Sequence, residues 1–139
     1  MRINKYRAKK VINKFGKFDS NEEFKRFLYL KQLEDRGIIF HLVRQPKFEI
    51  IPKLTKEKRI ELKTKFKVVT VTEEKAVHYT PDFQYEDQQG RTIIEEVKSK
   101  GTVLARDYHI RRKLLKHKLS IWNHQAGFEK FVFNELICG

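Results

Sequence analysis

Residues 79–98 read YTPDFQYEDQQGRTIIEEVK, and they predict a β hairpin at the centre of the fold. The runs 83–86 and 91–98 are rich in β-branched and aromatic residues, and the polar loop at 87–90 separates them. Two such runs joined by a short loop that ends in glycine are typical of paired antiparallel strands. We therefore expect the chain to be organised around these two strands.

The acidic residues of this hairpin are suited to metal chemistry. Because side chains alternate along a strand, Glu96 and Lys98 share one face and Glu95 points to the other; alternation alone leaves open which glutamate serves a site. Asp82 begins the partner strand, so strand pairing brings it near Glu96. Two neighbouring carboxylates repel each other unless a cation lies between them, and their oxygens suit Mg²⁺ or Mn²⁺. Lys98 would orient a metal-activated water or stabilise charge on a phosphate.

The remaining sequence predicts helices around a series of strands. A helix is expected to begin after Ser20, where Glu23 follows at capping-box spacing, and to end at Gly37. A second helix, with a dense basic face, is expected from 104 to 119. Residues 53–65 are highly charged and predict an insertion that is either helical or loose. The other predicted strands cover 38–43, 47–51, 65–72, 76–79 and 128–137. This order predicts an α/β fold with a mixed sheet.

Size and composition favour one domain with a polyanionic partner. The chain has 139 residues, 40% of them hydrophobic, which is enough for one core. Its 31 Lys and Arg against 18 Asp and Glu give a formal charge of +13, which favours nucleic acid first and an anionic membrane second. The single cysteine, Cys138, excludes an internal disulfide framework. No apolar run approaches the ~20 residues that span a bilayer, and we expect a cytoplasmic protein without a membrane partner.

The basic residues concentrate in three segments. Residues 1–18, 53–67 and 98–118 hold 22 of the 31 Lys and Arg residues, whereas most acidic residues lie elsewhere. Basic margins around an acidic centre favour an enzyme that holds phosphates at its edges and a metal ion between them. The first segment predicts a basic N-terminal arm over 1–17, followed by a single domain over 18–139.

A short motif spans the predicted hairpin. Residues 81–82 (PD), thirteen intervening residues and residues 96–98 (EVK) resemble the signature of the PD-(D/E)XK nuclease superfamily. The resemblance implies a restriction-endonuclease-like core, a mixed sheet flanked by helices, and Mg²⁺-dependent cutting of DNA in which Mn²⁺ can substitute. The catalytic residues that it implies are Glu23, Asp82, Glu96 and Lys98. The metal ligands that it implies are Asp82, Glu96, the carbonyl of Val97, and Glu23.

The resemblance extends beyond the motif. The segment 79–83 is similar to small phage Holliday-junction resolvases of the endonuclease I type, and the arrangement from 18 to about 133 resembles a family of small phage and prophage proteins. This implies a branched DNA substrate, a homodimer that makes two symmetric nicks, and the host-cell cytoplasm. Basic residues around the second helix would hold phosphates without reading bases. These predicted DNA contacts are Lys100, Arg106, Arg111, Arg112, Lys113 and Lys116.

Each assignment has a simpler alternative. Asp82 after Pro81 could be a turn residue, and Glu96 with Lys98 could form a surface ion pair. Glu23 could serve only as a helix cap, and the basic helix could be a solvated face. Two other function classes also remain open. One is a non-catalytic DNA- or RNA-binding protein on a nuclease-like scaffold, and the other is an interaction module whose basic arm binds an acidic protein or a membrane.

Overall fold

The computed structural model describes residues 10–103 and 106–138, which form ten strands and three helices. In chain order they are β1 (Val11–Asn13), β2 (Gly16–Phe18), α1 (Asn21–Asp35), β3 (Phe40–Arg44), β4 (Phe48–Ile51), β5 (Leu54–Glu61), β6 (Phe66–Glu74), β7 (Val77–Tyr79), β8 (Phe83–Glu86), β9 (Thr92–Ser99), α2 (Lys100–Val103), α3 (Arg106–Ala126) and β10 (Phe131–Cys138). None of the helices in this part of the chain is long and apolar enough to cross a membrane.

A four-stranded mixed sheet forms the centre, in the order β10-β9-β8-β3. β8 and β9 pair antiparallel, with Phe83 opposite Glu95, as the hairpin motif predicts. β10 pairs parallel to β9, with Phe133 opposite Ile94, because the chain returns through α3. The prediction of an α/β fold with a mixed sheet is therefore confirmed.

Each face of this sheet is covered by one long helix. Alternation along β9 directs Ile94 towards α3 and Ile93 towards α1. The buried residues on the α3 side are Tyr79, Ile94, Tyr108, Leu115 and Leu119. Those on the α1 side are Phe18, Phe27, Leu30, Ile39, Phe83 and Tyr85. The acidic residues of the motif lie in this sheet: Asp82 directly precedes β8, and Glu96 lies within β9.

The segment 53–65 differs from its prediction. It is neither helical nor loose, because β5 pairs antiparallel with β6 over the whole length of both strands. The valines of β6 at 68, 69 and 71 favour a pleated strand, and each lies opposite a charged residue of β5 with a long aliphatic stem. The prediction was wrong because a strand was not expected in so highly charged a segment. A two-stranded ribbon can be solvated on both faces, so it accepts charged residues on each.

The predicted N-terminal arm is in part a structured hairpin. β1 and β2 pair antiparallel, with Val11 opposite Phe18, and Phe18 is completely buried against α1. Arg44 of β3 stacks 3.8 Å above the Phe18 ring and donates to the carbonyl of Lys17 at 2.5 Å. Residues 10–17 thus pack on the domain, while residues 1–9 lie outside the described residues.

Candidate functional site

Asp82 and Glu96 lie side by side at one end of the β8–β9 hairpin. Phe83 is opposite Glu95, so the same register, one residue further, places Asp82 opposite Glu96. The backbone N–H of Val97 donates to Asp82 Oδ2 at 2.7 Å and fixes that carboxylate against β9. Both acidic residues are buried, with 9% of Asp82 and 3% of Glu96 exposed. The motif therefore brings two buried carboxylates together.

Two side chains hold the carboxylate of Glu96. Lys98 Nζ lies 3.0 Å from Oε1, and the hydroxyl of Tyr79 donates to Oε2 at 2.9 Å. The ammonium of Lys98 also lies 5.1 Å from the centre of the Tyr108 ring. The Lys98 side chain is 26% exposed, so its ammonium contacts both the buried carboxylate of Glu96 and solvent.

Glu95 serves a different purpose on the opposite face. Arg26 of α1 donates to both of its oxygens, at 2.7 and 2.8 Å, and Tyr85 donates its hydroxyl to Oε2. Glu95 is completely buried in this arrangement. The choice that alternation leaves open is therefore decided by geometry, because Glu95 ties α1 to the sheet and Glu96 joins Asp82.

Glu23 reaches the same region from the start of α1. Ser20 is the N-cap, and its Oγ accepts the N–H of Glu23 at 3.1 Å. In return, Glu23 Oε2 accepts the N–H of Asp19 at 3.0 Å, while the buried Oε1 has no hydrogen-bond partner. Capping and a second role are thus compatible, since one oxygen completes the cap and the other is free.

The three carboxylates influence one another electrostatically. Burial and the repulsion of Asp82 raise the pKa of Glu23 to about 7. Burial and the neighbouring Glu96 likewise raise the pKa of Asp82. Burial also raises the pKa of Glu96, although Lys98 and Tyr79 oppose that change, and Glu23 adds to it. Without a cation, this cluster is therefore partly protonated near neutral pH.

The donor set fits a hard cation in its chemistry. All the oxygens are carboxylate oxygens, and Glu23 Oε1 is a buried acceptor without a donor. Among the described residues, however, no group of three or more His, Cys, Asp or Glu side chains is placed so that it could hold a metal ion. Lys98 lies against Glu96 Oε1, and Val97 donates its N–H to Asp82. That the Val97 carbonyl binds a metal remains a prediction.

The predicted DNA contacts divide into two groups. Lys100, Lys113 and Lys116 are exposed. Arg111 is exposed and donates to the carbonyl of His78 at 3.1 Å. Arg112 instead pairs with Glu135 at 3.0 Å and contacts His109, so it joins α3 to β10. Arg106 begins α3, but its side chain lies outside the described residues.

Sequence reasoning missed three residues next to the cluster. Tyr79 stands three residues before Asp82, just ahead of the motif, and its hydrogen bond to Glu96 follows only from the way the strands pair. Asp19, just before the N-cap, raises the pKa of both Asp82 and Glu23 by its charge. Glu135 lies beside Glu96 in the parallel pair β9–β10 and accepts from Tyr108. A prediction of which strand neighbours β9 would have found it.

Comparison with known proteins gives a family without an assigned activity. No significant match was found among curated proteins or among solved structures. A family model matches residues 3–128, a range that contains Glu23, Asp82, Glu96 and Lys98 and ends before β10. On this match, the chain belongs to the family described as "Protein of unknown function (DUF1064)".

Proposed function

We propose that this protein is a Mg²⁺-dependent endodeoxyribonuclease that hydrolyses phosphodiester bonds. The observation that carries the proposal is the cluster of three buried carboxylates, Glu23, Asp82 and Glu96, beside the partly exposed ammonium of Lys98. Acidic groups with raised pKa values and a single partnered lysine are the arrangement expected at a catalytic metal site.

The cost of burying these acids supports a metal over a purely structural role. Each carboxylate loses hydration on burial, and mutual repulsion adds to that cost. The Arg26–Glu95 pair illustrates the structural solution, in which one carboxylate receives two guanidinium hydrogen bonds. Within the described part of the chain, the three carboxylates receive one ammonium, that of Lys98, so a divalent cation would offset the remaining charge. A surface that merely bound phosphates would gain nothing from acids there, because like charges repel.

The proposal gives each residue of the cluster a role. Asp82, Glu96 and the Val97 carbonyl would hold Mg²⁺, or Mn²⁺ in its place, and Glu23 would supply its unpartnered Oε1. When bound, the cation would lower the pKa of a water and neutralise charge on the phosphate. Lys98 would then orient the attacking water and stabilise the added negative charge in the transition state. This requires Lys98 to move from Glu96 Oε1 to the substrate.

The finer parts of the proposal rest on resemblance. A mixed sheet between two helices is compatible with a restriction-endonuclease-like core. Similarity of residues 79–83 to junction resolvases suggests branched DNA as the substrate. Paired nicks across a junction would need two active sites, so we propose a homodimer acting in the host-cell cytoplasm.

The experiment that tests the proposal is cleavage of labelled DNA in Mg²⁺. A four-way junction, a linear duplex and a single strand of matched sequence are compared, with the wild type beside Asp82→Asn and Lys98→Ala. We expect the wild type to cut the junction, and both variants to lose more than about 100-fold in rate while still binding DNA.

Glu22→Gln is the matched control, because Glu22 is an exposed glutamate in the first turn of α1. It should cut like the wild type, while Glu23→Gln should not. Equal cutting of all three substrates would keep the nuclease and discard the preference for junctions. Tight binding without cutting in Mg²⁺ or Mn²⁺ would contradict the enzyme and favour a DNA-binding protein on this scaffold.

A further inference from the structure

The β5–β6 hairpin is an isolated ribbon that projects from the domain. Its two strands pair with each other and form their own two-stranded sheet. Among the described residues, it makes hardly any contact with other strands or helices. An isolated two-stranded ribbon is only marginally stable in water, so a ribbon of this length gains most when a partner covers it.

The two faces of the ribbon carry different charges. Strand register places one set of residues on a face that we call the lysine face: Lys56, Lys58, Ile60, Lys67, Val69 and Val71. The other face carries Glu57, Glu61 and Arg59, and there Arg59 pairs with Glu61 at 2.8 Å. The lysine face therefore bears three positive charges and no acid, while the opposite face is close to neutral.

The charges of the lysine face are available to a ligand. Lys56, Lys58 and Lys67 are exposed, and none of them lies within 4.0 Å of a carboxylate of the described residues. Each of these lysines lies opposite a partly buried apolar residue of the other strand, which is Ile60, Val69 or Val71. The lysine face thus combines free ammonium groups with a supporting apolar surface.

We propose that the lysine face binds the phosphate backbone of double-stranded DNA. Two residues of an antiparallel strand advance about 6.8 Å, which is about twice the axial rise between phosphates of one DNA strand, so Lys56 and Lys58 can follow a backbone. The charged groups of this face are three lysine ammonium groups, which bind phosphates as point charges, so we expect the contact to be independent of sequence. The inference deepens the proposed function and rests on it for the identity of the polymer.

The base of the ribbon connects the lysine face to the candidate active site. β4 and β7 pair with each other, with Ile51 opposite Val77, and the ribbon is inserted between them. Two residues after Val77, Tyr79 donates to Glu96. From the other side, Arg111 and Lys118 of α3 donate to carbonyls of β7 and β4. The ribbon is therefore joined, through β7 and β4, both to the strand that leads into the candidate site and to the basic helix.

The test compares two triple variants that change the net charge equally. Lys56→Gln/Lys58→Gln/Lys67→Gln removes three charges from the lysine face, and the control variant Lys25→Gln/Arg36→Gln/Lys130→Gln removes three charges at exposed positions outside the ribbon. Binding of a fluorescent linear duplex is measured by anisotropy in EDTA, so that it does not depend on cutting. Circular dichroism and thermal unfolding check that both variants are folded like the wild type.

We expect the lysine variant to bind the duplex at least about 100-fold more weakly at 50 mM salt, and the control variant to stay within about threefold of the wild type. Between 50 and 200 mM salt, the wild type should lose about 40-fold more affinity than the lysine variant, because three fewer counterions are released. Equal weakening in both variants, or in neither, would overturn the inference. Competition by polyglutamate as effective as that by DNA of equal charge would also overturn it.

Cleavage in Mg²⁺ is measured separately on the same proteins. If the wild type binds DNA through the lysine face but does not cut it, the inference stands and the nuclease proposal fails. If the lysine variant binds and cuts like the wild type, the nuclease stands and the inference fails.

Discussion

Glu23→Gln should stabilise the metal-free protein at alkaline pH while it abolishes cleavage. Glutamine keeps the size of the side chain and an oxygen for the Asp19 N–H, so the helix cap survives. What the change removes is a buried negative charge next to Asp82. The variant therefore separates the two roles that the structure gives to Glu23.

The magnitude follows from the pKa of Glu23. A rise from 4.5 to about 7 disfavours the ionised form in the folded chain by about 3 kcal/mol. Below pH 4.5 the side chain is protonated in both states and contributes no difference. As the pH rises towards 7, the unfolded chain releases its proton and the folded chain does not, so the wild type loses stability. The advantage of Glu23→Gln should be less than about 1 kcal/mol at pH 5 and about 3 kcal/mol at pH 8.

Thermal unfolding in EDTA at the two pH values measures this difference. For a chain of this size, about 3 kcal/mol corresponds to a rise in Tm of roughly 6–12 °C at pH 8. Glu22→Gln, the exposed neighbour, should unfold like the wild type at both pH values. A Glu23→Gln variant that melts lower than the wild type by the same amount at both pH values would refute the reasoning, because Glu23 would then act only as a cap.

Three further predictions concern the surroundings of the cluster. Mg²⁺ should raise the Tm of the wild type more at pH 8 than at pH 5, because protons compete for the carboxylates, and calorimetry should find no such effect in Asp82→Asn. Glu95→Ala should lower the free energy of unfolding in urea by about 3 kcal/mol, because it leaves Arg26 without its partner; a loss below about 1 kcal/mol would contradict this. Tyr79→Phe should cost about 1–2 kcal/mol in the same assay by removing the hydrogen bond to Glu96, and an unchanged midpoint would argue against that bond.

The central sheet was predictable because its signals are local. The loop at 87–90 and the β-rich runs on either side specify a hairpin without help from the rest of the chain. The start of α1 was equally clear, since Ser20 and Glu23 satisfy each other's backbone within one turn. The same locality gave the pairing of Asp82 with Glu96, because the register of a hairpin follows from its loop.

The other features depend on contacts between distant segments. Glu95 and Glu96 are adjacent and chemically identical, and only the position of Arg26, 69 residues away, distinguishes them. The strand β5 carries charges on both faces, so no alternation of hydrophobic and polar residues marks it as a strand. It is extended because it pairs with β6, whose valines favour a strand. Tyr79 and Glu135 reach the cluster through strand pairing, which one sequence does not specify.

The ion pair between Arg26 and Glu95 also bears on how faithfully the chain folds. A slip of β9 by one residue would exchange its two faces, and Glu95 would replace Glu96 beside Asp82. In such a slipped sheet Ile93 would take the place of Ile94 in the core, so the hydrophobic pattern at that position discriminates weakly against it, but Ile94 would take the place of Glu95. Arg26 can reach only the correct glutamate, with Tyr85 as a second donor, and the slipped chain would leave that guanidinium without a partner. The buried pair thus favours the correct register of the strand that carries the motif, although neither Arg26 nor Glu95 belongs to the candidate site.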